Sequence, residues 1–245
     1  MNIALISGAS SGIGLALTKL IDELEYDEIW LIASNEEKLS KTASELKTKS
    51  RVFAIDLSKK DALDTIFDAL NIEKPSIKHL VCSAGVGYNG KFEDITKEMA
   101  AKMIDVNVRA LTELTTICLP YIESGAKILQ IASSAGFMPQ PSFAVYSATK
   151  SYVISFSRAL REELKKKKIA VTAVCPGPVD TPFFSGLENV KEYKKKYAIS
   201  PEKVAKKAMK ASRKNKALSI PTFSMKMVQL SSKIIPLSLI MKFYK

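Results

Sequence analysis

The sequence predicts one α/β domain, a doubly wound parallel sheet with helices on both faces, followed by an amphipathic extension. Three observations predict it. Short apolar runs alternate with helical patterns from residue 3 to residue 175, the signature of βαβ units. The runs are apolar throughout, as strands covered on both faces require. The first run leads into a glycine cluster that opens a helix, and six strands in two halves complete the plan.

The elements follow in order. Residues 3–6 (Ile-Ala-Leu-Ile) form a buried strand, and 14–24 carry helical periodicity. Residues 28–33 are a second strand and 36–47 a second helix. Residues 52–55 and 60–70 repeat the pair. A strand at 79–83 precedes one long helix at 96–121, and a strand at 127–132 precedes another at 146–166. Residues 169–175 are the sixth strand. Residues 192–216 continue as basic, helical segments, and 217–220 form a last strand. There is no internal repeat, low-complexity block or long linker, so the domain is taken as 1–220 and the extension as 221–245.

Composition narrows the class. A chain of 245 residues with 47% apolar and 25% charged side chains is globular and fits one α/β domain. Cys82, Cys118 and Cys175 are too few for a disulfide framework, and none is spaced as a metal pair with another Cys or with His79. No metal is expected, and a reduced cytoplasmic setting fits. His79, the single histidine, precedes its strand and is expected at the surface. The N-terminal apolar run is broken at once by Ser7-Gly8, unlike a signal peptide, and no run reaches the ~18 apolar residues of a spanning helix.

The net charge of +12 invites a nucleic-acid or membrane reading, but it is uneven. Residues 1–146 hold 15 basic and 19 acidic side chains, a net of −4, and residues 147–245 hold 22 and 6, a net of +16. No nucleic-acid motif or aromatic–basic stacking pattern accompanies the excess, so nucleic acid is not expected as a partner.

The glycine cluster is Ser7-Gly8-Ala9-Ser10-Ser11-Gly12-Ile13-Gly14. Gly8 permits the turn, Gly12 lets the backbone approach a pyrophosphate, and Gly14 lets the helix pack on the strand. The helix N-terminus offers N–H groups and a positive dipole end to phosphates. Further on, Tyr146 and Lys150 are four residues apart and share a helix face. A tyrosine with an ordinary pKa of ~10 is a poor acid–base catalyst near neutrality, and a nearby ammonium lowers that pKa.

Together these stretches resemble the short-chain dehydrogenase/reductase family, which has a TGxxxGxG cofactor loop and a YxxxK catalytic pair. Ser7 replaces the usual Thr. The resemblance implies a Rossmann-like fold and runs from about residue 3 to residue 181. It places the catalytic serine thirteen residues before the tyrosine, at Ser133 and not Ser134, and it adds Asn107 as the helix-embedded member of a proton relay. It implies that Tyr146 exchanges the substrate proton, that Lys150 supports Tyr146 and binds the nicotinamide ribose, and that Ser133 binds the substrate oxygen.

For the cofactor, the resemblance implies contacts from Gly8, Ser10, Ser11, Gly12, Ile13 and Gly14, from Asp56 and Leu57 at the adenine, and from Asn107, Tyr146 and Lys150. Ser83, Ala84 and Gly85 stand where the family has NNAG; with Cys82-Ser83 in place of two Asn, the strand bracing must be made differently. Pro176, Gly177, Val179 and Thr181 match a PGxxxT segment at the nicotinamide. After the second strand no Asp or Glu follows directly, which argues against strict NAD use. Ser34 and Asn35 stand there with Lys38 nearby, and NADP(H) is favoured over NAD(H).

The tail, residues 221–245, mixes apolar residues with Lys226, Lys233, Lys242 and Lys245 and has no acidic residue. That composition suits a helix in an anionic interface, or one packed on its own subunit or a dimer partner. Phe183, Phe184 and Leu187 suggest an apolar substrate wall, or side chains that simply pack on the sheet edge. The prediction is an NADP(H)-dependent oxidoreductase that interconverts a ketone or aldehyde and an alcohol on a hydrophobic, lipid-, acyl- or steroid-like substrate. The alternative is a membrane-associated dinucleotide-binding regulator without turnover. The resemblance implies a homodimer or homotetramer, while the cysteine usage and the tail point to a cytoplasmic chain or one peripheral at a membrane.

Overall fold

A computed structural model describes residues 1–184 and 197–242. Seven strands form its sheet: β1 (Asn2–Ser7), β2 (Glu28–Ala33), β3 (Ser50–Ala54), β4 (Ser76–Cys82), β5 (Ile122–Ile131), β6 (Ala170–Val174) and β7 (Leu218–Ser219). Every pairing is parallel, in the order β3-β2-β1-β4-β5-β6-β7. The order reverses between β1 and β4, which opens a crevice at the carboxyl ends of those strands.

Alternation along β1 shows why the strands are apolar throughout. Ile3 and Leu5 enter one core, and Ala4 and Ile6 enter the other. The first core is closed by α3 (Asp64–Glu73), α5 (Leu111–Cys118) and α6 (Ala144–Leu164). The second is closed by α1 (Gly12–Asp22), α2 (Glu36–Ser44) and α7 (Pro201–Arg213). Truncating a fully buried residue such as Leu17 to Ala would cost about 2–5 kcal/mol. Local chemistry sets the helix ends. Asn35 Oδ1 accepts the Lys38 N–H at 2.8 Å to cap α2, and Ser200 caps α7 with Pro201 in its first turn.

A buried polar chain crosses the first core. Gln130 of β5 donates through Nε2 to Thr115 Oγ1 of α5 at 3.2 Å, and Ser157 Oγ of α6 donates to Gln130 Oε1 at 2.8 Å. Buried polar atoms have to be paired, and these side chains pair with one another.

Two expectations change. The stretch 96–121 is not one helix: α4 (Lys97–Ile104) passes into a π-helical turn, Asp105–Ala110, before α5. Inside that turn, Asn107 points inward while Arg109 bridges Asp105 and Glu113 at 2.9 Å on the outside. His79 is buried, because β4 begins at Ser76 and takes His79 into the sheet, against Tyr26. The Tyr26 hydroxyl is bonded to His79 Nδ1, and burial drives the imidazole pKa down to about 4. The tail holds α8 (Phe223–Ile234) and α9 (Leu237–Lys242). α8 packs against the turn at Ser134–Phe137, and Lys207 of α7 donates to the Pro221 carbonyl at its base. The segment 192–196 and Leu187 lie outside the described residues.

Candidate active site

The floor of the crevice is the loop between β1 and α1. Gly8 has a φ of 71°, and a Cβ there would stand 2.7 Å from the Ala84 nitrogen, so only glycine lets the two chain segments approach. A Cβ on Gly14 would fall 2.1 Å from the Gly8 carbonyl oxygen, so α1 can seat on its own loop only without a side chain there. Ser11 begins α1 in extended conformation and makes no side-chain cap, which leaves the helix N-terminus to the crevice. The bracing that the two missing Asn would supply comes from Ser7. Its Oγ accepts the N–H groups of Ser83 and Ala84 at 3.2 and 3.3 Å across the β1–β4 seam.

Two contiguous clefts share Gly8, Ser11, Ala84 and Gly85. The larger, about 350 Å³, brings together Gly12, Ile13, Ser83, Ser133, Tyr146, Lys150, Pro176, Gly177, Val179 and Thr181. The smaller, about 230 Å³, is lined by Ser10, Ser34, Asp56 and Leu57, together with Ala33, Ile55, Val86, Lys102 and Val106. Of the residues singled out in the sequence, three support the walls without lining them. Gly14 underlies the loop, Asn35 caps α2, and Asn107 is buried behind Gly85.

Asn107 binds the backbone of Val86 as a neighbouring strand would. Its Oδ1 accepts from Val86 N, and its Nδ2 donates to Val86 O, each at 2.8 Å. The same Nδ2 donates to Thr149 Oγ1 at 3.1 Å, which ties the π-helical turn to α6 beside Lys150. π-Helical turns are frequent at functional sites.

Tyr146 lies in the first turn of α6 and Lys150 one turn later on the same face. Lys150 Nζ sits 5.7 Å from the Tyr146 ring centroid and donates to the Ile131 carbonyl at 2.9 Å. Both side chains are about 5% exposed or less, and the Ser133 hydroxyl lies close enough to the phenol to favour its charged form. Ser133 Oγ also accepts the Ala135 N–H at 3.1 Å, which fixes its rotamer.

The electrostatics differ in one respect from the expectation. Burial drives the Tyr146 phenol up to about 12, only partly offset by the Ser133 hydroxyl. Burial also brings Lys150 down to about 8. Dehydration therefore outweighs the ammonium, which faces the ring and is held by the Ile131 carbonyl. The phenol is held protonated at neutral pH, the form that an acid must have.

An aromatic collar surrounds the phenol, with the Phe143 and Phe183 rings each 5.8 Å from the Tyr146 ring. Phe183 was legible as an apolar wall residue. Phe143, three residues before Tyr146, could have been found from that closeness; Met103, in the same cluster, could not, because no local signal joins it to residues so far away in sequence. Lys102 was missed for the same reason. It lines the smaller cleft from α4 and helps hold the Asp56 carboxyl below its usual range, after the hydrogen bonds from Ser58. Lys38 is exposed in α2 and lines neither cleft. Among the described residues no cluster of His, Cys, Asp or Glu could hold a metal ion, and no helix is long and apolar enough to cross a membrane.

Comparison with known proteins places this geometry. The profile of the short chain dehydrogenase family matches residues 2–192. A protein of Staphylococcus epidermidis described as an oxidoreductase is 34% identical over 188 residues, covering 76% of this chain and 81% of that protein. A short-chain dehydrogenase from Sphingobium yanoikuyae, solved in complex with NADPH, superposes with a TM-score of 0.83 at 24% identity over 99% of this chain and 95% of that one. A short-chain dehydrogenase/reductase from Burkholderia phymatum, solved with NAD, gives 0.86 at 21% identity over 97% and 95%. The chain belongs to the short-chain dehydrogenase/reductase family and is an oxidoreductase.

Proposed function

We propose that this oxidoreductase is an NADP(H)-preferring carbonyl reductase that interconverts a hydrophobic ketone or aldehyde and its alcohol. The observation that carries this reading is the convergence of Ser133, Tyr146 and Lys150 on one cleft wall, with the phenol dry, protonated and collared by aromatic rings. A nicotinamide dinucleotide, when bound, supplies or accepts the hydride. The chain's own residues hold it and handle the proton. Gly8, Ser10, Ser11, Gly12 and Ile13 hold the pyrophosphate at the α1 N-terminus, with Gly14 giving the helix its seat. Asp56 and Leu57 bound the adenine, and Ser83, Ala84 and Gly85 form the inner wall. Pro176, Gly177, Val179 and Thr181 face the nicotinamide.

In the reductive direction Ser133 donates a hydrogen bond to the substrate carbonyl oxygen, and Tyr146 delivers its proton there. The Lys150 ammonium stabilises the phenolate that remains and binds the nicotinamide ribose. Asn107 positions Val86 and Thr149 around that pair. The collar excludes water, which strengthens each of these interactions.

The preference for NADP(H) rests on the end of β2, where Ser34 lines the smaller cleft and no carboxylate follows the strand directly. A carboxylate there would repel a 2′-phosphate. The lysine at 102 adds positive charge to the same cleft, and Asn35 adds its amide nearby. Superposable folds have been solved with NADPH and with NAD, so the cleft chemistry and not the fold decides the preference. The catalytic unit is taken as residues 1–220, working as a homodimer or homotetramer in the cytoplasm.

The experiment is oxidation of NADPH and NADH over aldehydes and ketones of graded chain length. NADPH is expected to give the higher kcat/KM, with kcat/KM rising along the series. A preference for NADH above tenfold would sink the cofactor assignment. Absence of turnover with every carbonyl, despite dinucleotide binding, would favour a regulator.

A further inference from the structure

Among the described residues, six large exposed apolar side chains fall between residues 223 and 239. Four of them lie on one helix at a regular spacing: Phe223, Met227, Leu230 and Ile234, exposed by 77%, 45%, 48% and 70%. Steps of four, three and four place them in one stripe along α8. The opposite face is already used. Met225 packs over Gly177 of the large cleft, and Val228 and Ser232 are half-buried. The helix is thus fixed to the body at the carboxyl edge of the sheet, with a second apolar face turned outward.

The charges beside that face indicate what it meets. Lys226 and Lys233 are exposed and seven residues apart, so they line one edge of the stripe, and Ser224 and Ser231 line the other. The segment 221–245 holds no carboxylate. A second copy meeting this face would set lysines against lysines if the helices ran antiparallel and against serines if they ran parallel, with no acid in the segment to pair with them in either case. Anionic lipid headgroups would instead receive the lysines while the stripe enters the acyl boundary. A helix too short and too charged to span a bilayer, yet with one continuous apolar face and a cationic flank, has the form of an interfacial anchor.

We infer that α8 docks the enzyme on an anionic membrane surface, with the carboxyl edge of its sheet toward the lipid. The docking surface stands on the geometry of α8 and is read without turnover, so failure of the reductase reading would leave it intact.

The test is co-sedimentation of the full chain with vesicles of phosphatidylcholine alone and of phosphatidylcholine with phosphatidylglycerol. Binding is expected to the mixed vesicles and to be at least tenfold weaker without the anionic lipid. The Lys226→Gln/Lys233→Gln double variant should lower the partition coefficient roughly 30-fold. The Phe223→Ser/Leu230→Ser double variant should lose at least tenfold while its melting temperature and its reduction of a short aldehyde stay unchanged. Wild-type protein that ignores mixed vesicles would overturn the proposal, as would undiminished binding by the serine variant. Wild-type oligomers that fall to monomers in the serine variant, without vesicle binding in either, would assign the stripe to a second copy instead.

Discussion

Burying the Lys150 ammonium works against folding. Its pKa falls from 10.5 to about 8, so the unfolded chain binds that proton more tightly, and stability gains as pH rises from 8 toward 10.5. Below pH 8 the full burden remains, about 3 kcal/mol from the shift. The Lys150→Met variant is therefore expected to melt roughly 5 °C higher at pH 7, allowing for the Ile131 carbonyl that loses its donor, while turnover disappears. A lower melting temperature would show that the ammonium stabilises the fold. Reduction should weaken as pH rises through about 8, where Lys150 loses the charge that supports the phenolate. Tyr146→Phe removes the proposed proton donor and leaves the ring; kcat should fall at least ~10³-fold with dinucleotide affinity within about twofold, and unchanged turnover would refute the role. At this scale the Tyr146–Lys150 pair was legible, because a four-residue interval on a helix fixes geometry locally. Met103 and Lys102 were not, since only the folded chain sets Met103 in the cluster around Tyr146 and Lys102 on the smaller cleft.

The strands were read more accurately than the helices. A run such as Glu28–Ala33, buried at every position, announces itself by composition alone. The break in 96–121 does not, because a single π-helical turn adds one residue and leaves the apolar periodicity almost intact. Its cause, the pairing of Asn107 with the Val86 backbone, lies twenty-one residues away. The seat of α1 offers a test at the same scale. Alanine is ordinarily better than glycine inside a helix by about 1 kcal/mol. At Gly14 the sign should reverse, because the added Cβ would strike the Gly8 carbonyl and lift α1 off its loop. Gly14→Ala is expected to weaken NADPH binding at least tenfold in a fluorescence titration. Unaltered affinity would show that the loop yields.

Across the whole molecule, ionisation acts at both ends of the sheet. At the end opposite the clefts, His79 stays neutral in the fold, with a pKa of about 4 against 6.5 when exposed. Its contribution is complete above pH 6.5 and is lost as pH falls toward 4, when the unfolded state takes up the proton first. Urea midpoints should drop between pH 7 and pH 4.5, and His79→Phe should flatten that decline; an equal decline in the variant would assign it to other groups. The net positive charge of the last two fifths was legible in the sequence, but its distribution over the end of α6, the outer face of α7 and the flank of α8 needed the fold. The buried Thr115–Gln130–Ser157 chain bears on how this sequence can drift. A one-residue slip of β5 would turn the Gln130 amide to the opposite face, into purely apolar packing, and carry the Ile131 carbonyl away from Lys150. Selection for the lysine's place therefore reaches three side chains that line neither cleft. Descendants that lose Gln130 should change Thr115 and Ser157 with it, a correlated inheritance that an alignment of relatives would reveal.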